Sequence, residues 1–179
     1  MKKLYIYSIM LFALVIVSCN NKESLQTYLV DSQDKKGFIS LDIPASVVQL
    51  TSDSTSEEDK KAYESIRKIN VTGLPYTNTD DATYEAEKKK IKDILSKSSY
   101  KKLMNFKKDG MNAAIYYSGE TDAIDEIVAL GYGKKLGVGI ARILGKDMNP
   151  AKIMDMMQKA KINTDNVNLD QFKMIFKDK

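Results

Sequence analysis

The chain has 179 residues, with 28 Lys and Arg against 24 Asp and Glu for a formal charge of +4, and it holds a single Cys and no His. That composition removes Cys–His and Ser–His–Asp catalysis and zinc sites of the Cys/His kind. Arg67 and Arg142 are the only arginines, so the planar, bidentate recognition of phosphates and bases that favours nucleic-acid binding has little to draw on.

Residues 1–19 read MKKLYIYSIMLFALVIVSC. Lys2 and Lys3 make a positive start, and Tyr5 to Val17 form an apolar run broken only by Ser8. The run is shorter than the roughly 20 apolar residues that span a bilayer, which predicts a secretory signal peptide and not a permanent membrane helix. Ile16-Val17-Ser18-Cys19 resembles the bacterial lipobox. The resemblance implies cleavage before Cys19, a diacylglyceryl group on its thiol and an acyl chain such as palmitate on the new amine. Two or three acyl chains suffice for stable anchoring. As the lone cysteine, Cys19 has no disulfide partner within the chain. The expected organisation is a cleaved signal peptide over 1–18, a lipidated tether over 19–23 and a single domain over 24–179. Cleavage removes two lysines and no acid, taking the charge from +4 to +2. Asn20 stands where an Asp would favour inner-membrane retention, and Asn20 to Glu23 lacks an acidic cluster for surface export. The expected location is therefore the outer membrane, facing the periplasm.

Ser24 to Asp31 places Leu25, Tyr28 and Leu29 at helical spacing. Phe38 to Ile43 alternates as a half-buried strand stopped by Pro44, and residues 44–50 read as a helical turn. A polar linker runs from Thr51 to Ser56. Ser56 caps a helix whose first turn is acidic, predicted to run to about Lys68. Ile69 to Leu74 reads as a second strand ending at Pro75. Thr79-Asp80-Asp81 starts a longer helix with Tyr84, Ile91, Ile94 and Leu95 on one face and a Glu85–Lys89 pair. Its Lys88-Lys89-Lys90 run reads as a solvated face, with acidic headgroups as the alternative contact.

From Tyr100 the pattern is continuous β. Leu103 to Lys107 leads into Asp109-Gly110, the strongest hairpin signal in the chain, and Asn112 to Tyr117 returns. Strands over Ile124 to Leu130 and Leu136 to Leu144 complete a four-strand meander. Asn149-Pro150 opens a last helix with Ile153, Met156, Met157 and Ala160 on its apolar face. Leu169 to Phe176 carries further apolar residues and is expected to dock on the body. The predicted fold is α+β: a mainly antiparallel sheet, made of the meander plus two earlier strands, with helices packed on one face.

Several motifs bear on chemistry. Gly131 to Gly139 is rich in glycine, yet its glycines bracket a turn between strands and do not lead into a helix as a phosphate loop requires. Asn163 to Asp170 offers side-chain oxygens without the Gly and terminal acid of a calcium loop. Asp53-Ser54-Thr55 resembles an O-glycosylation motif of exported bacterial proteins and makes Ser54 a candidate acceptor. Asp122, Asp125 and Glu126 would serve a glycosidase-type hydrolase only if two acids faced each other across a cleft. Met148, Met154, Met156 and Met157 fit core packing, or an adaptable apolar surface. No cofactor, metal site or catalytic residue is expected.

The chain resembles a family of small Bacteroidetes lipoproteins, domain-of-unknown-function family 4252. The resemblance rests on the lipobox ending at Cys19, Gly37 to Pro44, Tyr100 to Phe106, Asp122 to Glu126 and Leu144 to Pro150. It implies a role in envelope signalling or homeostasis and carries no catalytic residues. Together these features lead to the expectation of a membrane-tethered, non-catalytic interaction module with a protein partner in the envelope. Binding of a lipid or small amphiphile between sheet and helices, using Tyr116, Tyr117, Tyr132 and the Met-rich last helix, is the second expectation. A carboxylate-based hydrolase is the third.

Overall fold

The computed structural model describes residues 23–50, 56–97 and 99–162, with the backbone alone over 47–50 and 157–162. Cys19, Ser54, the Asn163 to Asp170 loop and the Leu169 to Phe176 stretch lie outside the described residues.

Local chemistry sets the helix starts. Helix α1 (Leu25–Gln33) is capped by Ser24, whose hydroxyl accepts from Thr27 N, and it buries Leu25, Tyr28 and Leu29 as the spacing predicts. Strand β1 spans Ile39–Pro44. A short 3-10 turn (Ala45–Val47) and strand β2 (Val48–Leu50) follow, so the helical turn expected over 44–50 covers only its first half. Helix α2 (Glu57–Ser65) has a full capping box between Ser56 and Asp59, which satisfies two orphan donors of the first turn. It stops at Ser65, not at Lys68. Ser65 Oγ bonds back to Ala62 O, and Ile66 is drawn into the sheet opposite Gly145. Pairing and burial outweigh the helical spacing of residues 66–68.

Strand β3 (Ile66–Pro75) precedes helix α3 (Asp81–Lys97). Asp80 caps α3 by accepting from Thr83 N at 2.7 Å, and the buried residues are the predicted Tyr84, Ile91, Ile94 and Leu95. The charge pairs differ from the expected Glu85–Lys89: Lys88 takes Glu85 and Lys89 takes Asp93. Strands β4 (Lys101–Lys108), β5 (Met111–Gly119), β6 (Ile124–Gly133) and β7 (Gly137–Met148) form the meander. Asp109 and Gly110 both have positive φ, 52° and 81°, as a two-residue type I′ turn requires. Helix α4 (Pro150–Lys159) begins after Asn149, whose Oδ1 accepts from Lys152 N. Ala160, expected on the helix face, instead opens strand β8 (Ala160–Ile162), which pairs with β2.

The result is an α+β fold around a six-stranded antiparallel sheet in the order β1-β3-β7-β6-β5-β4. Both early strands join the meander through β3, which pairs with β7. Helix placement is more specific than the sequence conveyed. Helices α1 and α3 pack on one face, against Leu74, Val128, Leu130, Val138 and Ile140. Helices α2 and α4 pack against Ile127 and Ile143, which neighbour these residues in sequence and point to the opposite face. So the helices divide between the faces. The cause is an irregularity near the end of β7: the register jumps between Glu126↔Leu144 and Ile124↔Met148, with Asp147 at φ 52°. Such a bulge bends its strand and re-aims the residues beyond it. It sends Ile124 and Met148 to the second cluster with Ile153 and Met156. Met148 and Met156 are therefore core residues, as the packing reading of these methionines expects.

Candidate functional site

Helices α2 and α4 cover only one end of their face. Beyond them no described element covers the floor of the sheet. In β3, β6 and β7 buried positions alternate with half-buried ones, and the half-buried ones are Val71, Gly73, Ala129, Gly131, Gly139 and Ala141. The register lines them up across the strands. One row reads Ile39, Gly73, Gly139, Gly131, Ala113, Phe106, and the next reads Leu41, Val71, Ala141, Ala129, Ile115, Met104. Each row is small in the middle and bulky at its ends. The floor is thus a trough of about 230 Å³, closed at one end by Pro75 and Leu136.

The β4–β5 hairpin lies beside the trough and contributes Ala113 to its lining. Met104, Phe106 and Met111 are 47 %, 56 % and 41 % exposed, and the pairing puts all three on the trough side. Isolated exposed apolar residues are ordinary, but a contiguous patch is a mark of an interaction surface. The glycines differ in what holds them. A Cβ on Gly139 would lie 3.0 Å from Thr72 O, against the neighbouring strand, whereas one on Gly131 would meet nothing within 4 Å. Gly131 therefore leaves open space above the sheet that a side chain could fill.

The trough carries no acid–base chemistry of its own. Among the described residues Thr72 is the only lining residue with a polar side chain, and its hydroxyl bonds Ser40 at 2.6 Å on the helix-covered face. Among the described residues no cluster of His, Cys, Asp or Glu could hold a metal, and no helix is long and apolar enough to cross a membrane.

The polar residues singled out from sequence do not converge on the trough. Asp122 and Asp125 are exposed. Glu126 lies on the other face, where its Oε1 accepts from Arg142 Nε at 2.5 Å and from Tyr100 OH at 2.7 Å. Arg142 also donates to Gln26 Oε1 on α1. The pair is largely buried and fastens α1 and the start of β4 to the sheet; it holds no substrate-sized cleft. Tyr116 and Tyr132 pack under α1 and α3, and Tyr117 under α2 and α4, and none of the three lines the trough. In the lysine run on α3, Lys89 is exposed while Lys88 and Lys90 are half-buried. Lys88 Nζ sits 5.1 Å from the Tyr84 ring centre, and Lys90 pairs with Glu23.

The stretch Gly131 to Gly139 is a hairpin turn closed by the pair Gly133↔Gly137. Reading it only as a turn misses that Gly131 and Gly139 also pave the trough. A signal is present in the sequence: small residues at every second position in β6 and β7, with Gly73 as their counterpart in β3.

The described residues thus form an open-faced antiparallel sheet with an apolar floor. The chain belongs to the family described as domain of unknown function (DUF4252), whose profile matches residues 28–156, well over half of its length. No curated protein and no solved structure gives a match.

Proposed function

We propose that the chain is a lipid-anchored protein of the cell envelope, tethered through Cys19 at the outer membrane facing the periplasm. Its body is a non-catalytic module that takes an apolar segment of a protein partner into the trough. The observation that carries this reading is the trough itself, bare of titratable groups and flanked by Met104, Phe106 and Met111. Enclosed small-molecule sites usually occupy about 300–1,000 Å³ and bury most of their ligand. A smaller, open trough with flexible methionines beside it suits a helix or strand laid along it. The tether rests on the sequence alone, on the lipobox and the short apolar run before it.

Two measurements test the reading. A photo-crosslinking residue in place of Ala129 should give a discrete protein adduct in living cells, and the same residue in place of Lys89 on exposed α3 should not. Equal labelling from both positions, or none from Ala129, sinks the docking surface; an adduct of lipid mass replaces the protein partner with an amphiphile. Separately, Cys19→Ser should leave an unprocessed precursor or release the body from membranes. Unchanged maturation and fractionation would remove the tether.

A further inference from the structure

We infer that the outer edge of β4 is a strand-addition site for an extended, acidic segment of a partner protein. The edge lies beyond the trough and binds through its backbone, so neither surface needs the other.

Strands β1 and β4 end the sheet on its two sides, and they end it differently. In β1, Ile39 and Ile43 are buried, and the strand closes on Pro44, which has no amide hydrogen to offer. In β4 all eight residues from Lys101 to Lys108 are exposed. No described strand pairs with its outer side. Eight residues at the rise of a strand make an edge of about 24 Å, longer than the usual strand of about five or six residues. A row of unpaired backbone donors and acceptors of that length is a template for another strand. The backbone that presents it is regular from Met104↔Ile115 through Lys108↔Met111. The register shift between Lys102 and Met104 leaves Leu103 out of the pairing and bounds that stretch at one end.

Side chains define the kind of strand that fits. Among the described residues the large apolar side chains left exposed are Val30, Leu103, Met104, Phe106 and Met111, and all but Val30 belong to the β4–β5 hairpin. Along β4 they are enclosed by lysines. On the trough side Lys108 follows Met104 and Phe106, on the other side Lys107 follows Asn105, and Lys101 and Lys102 close the far end. From Ser98 to Lys108 the sequence holds no acid, and Asp109 sits in the turn beyond the strand. Lys101 and Lys102 rest near the rings of Tyr117 and Tyr116, at 5.8 and 5.5 Å. Among the described residues none of these four lysines enters an ion pair.

Lysines along an edge guard it against self-pairing. Two copies of β4 paired antiparallel about their centre would set Lys101 against Lys108 and Lys102 against Lys107, and like charges directly opposite are destabilising. The same lysines favour a strand with acids at its ends. Opposite Met104 and Phe106 that strand needs apolar residues, and opposite Lys107 and Lys108 it needs Glu or Asp. Backbone hydrogen bonds supply the affinity in this mode, and alternate side chains the specificity. The charges steer the encounter and fix the register.

The probe is a labelled peptide, Glu-Glu-Val-Thr-Val-Thr-Glu-Glu, mixed with the full chain in a non-ionic detergent. Fluorescence anisotropy should show binding, and backbone hydrogen exchange should slow in β4 with little change in β1. A shuffled peptide of equal charge, Val-Glu-Glu-Thr-Thr-Glu-Glu-Val, should bind several-fold more weakly and leave β4 exchange unaltered. Lys107→Glu with Lys108→Glu, both at exposed positions, should weaken the first peptide about tenfold, because two attractive cross-strand pairs become repulsive. A peptide with lysines at one end, Lys-Lys-Val-Thr-Val-Thr-Glu-Glu or the same residues in reverse order, should restore that loss in one orientation only. No binding, equal binding by the shuffled peptide, or unaltered exchange in β4 would overturn the inference. So would dimers that protect β4, which seat a second copy there. Protection by phosphatidylglycerol vesicles and not by the peptide would overturn it too, by giving the edge to an anionic lipid surface. The two readings fail separately. An adduct from Ala129 without any peptide effect keeps the trough and discards the edge; protection of β4 without that adduct does the reverse.

Discussion

The two faces of the central sheet are built from alternate residues of the same strands, and they reach opposite ends. Under α1 and α3, the rows hold Ile140 and Leu130, then Arg142 and Val128, and every one of these is buried. On the other side of the same backbone, Gly139 and Gly131, then Ala141 and Ala129, lie half open. A strand alternates its side chains by necessity, so a covered face costs the opposite one nothing in backbone geometry. What differs is side-chain volume. The covered face uses large groups to meet helices, and the open face withholds them. That contrast marks the trough as a surface kept free of the chain's own strand side chains. It also gives predictions, because each face should respond to substitution in its own way.

The largest effect should come from the covered face, at the largely buried Arg142–Glu126 pair. Arg142 is 8 % exposed and binds both Glu126 and Gln26. Removing one partner of such a pair leaves a buried charge uncompensated and costs about 3–5 kcal/mol. Arg142→Ala should therefore lower the stability measured by urea unfolding by that order. A loss near the level of an exposed substitution would mean that α1 and the start of β4 do not depend on this fastening, and the contrast between the faces would weaken.

The same face should also report itself at alkaline pH. Burial, then the nearby Glu87 charge, raises the Tyr28 phenol above its ordinary range. Burial and the hydrogen bond to Glu126 do the same for Tyr100. Each folded phenol holds its proton more tightly than the unfolded one, which titrates near 10. The stabilisation is thus complete below about pH 10 and is lost as pH rises beyond it, because the native state then binds more protons than the unfolded state. Unfolding midpoints should fall above that pH, and Tyr100→Phe should flatten the fall. A wild-type slope retained in that variant, and again in Tyr28→Phe, would assign the alkaline loss to other groups. The open trough has no titrating group of its own and should contribute nothing to this limb.

How much of the molecule is legible in the sequence depends on how local each cause is. Caps at Ser24, Ser56, Asp80 and Asn149, the Asp109-Gly110 turn and the apolar face of α3 are set by residues within a few positions of one another, and all can be read there. The helix end at Ser65 is expected too late because Ile66 answers to Gly145, far along the chain. The division of the helices between the two faces is hidden for the same reason: it depends on a bulge near Asp147 whose effect appears only once β6 is paired to β7. The trough is half visible. Gly73, Gly131 and Gly139 are small at alternating positions, but only the register shows that they share a row, and only the helix positions show that the row is uncovered. The hydrolase reading of Asp122, Asp125 and Glu126 rests on proximity in sequence, and strand alternation and Arg142 separate them in space.

Two glycines of the trough side sharpen the contrast furthest, since they share a face and differ only in what lies above them. Gly145 sits where α2 meets the sheet; a Cβ there would fall 2.3 Å from Ser65 O and 2.6 Å from Met148 Cγ. The carbonyl oxygen of Gly145 also accepts from Arg67 at 2.6 Å, which limits how far the backbone can shift. Overpacking of this kind costs about 1–3 kcal/mol, so Gly145→Ala should be destabilising by that order. Gly131 has ordinary strand backbone and open space above it. Replacing it with Ala restricts the unfolded chain without a native clash, which stabilises by about 0.4–1 kcal/mol. The two substitutions should therefore move urea midpoints in opposite directions. Should Gly131→Ala destabilise as Gly145→Ala does, something already rests on the floor at that point closely enough to exclude a methyl group.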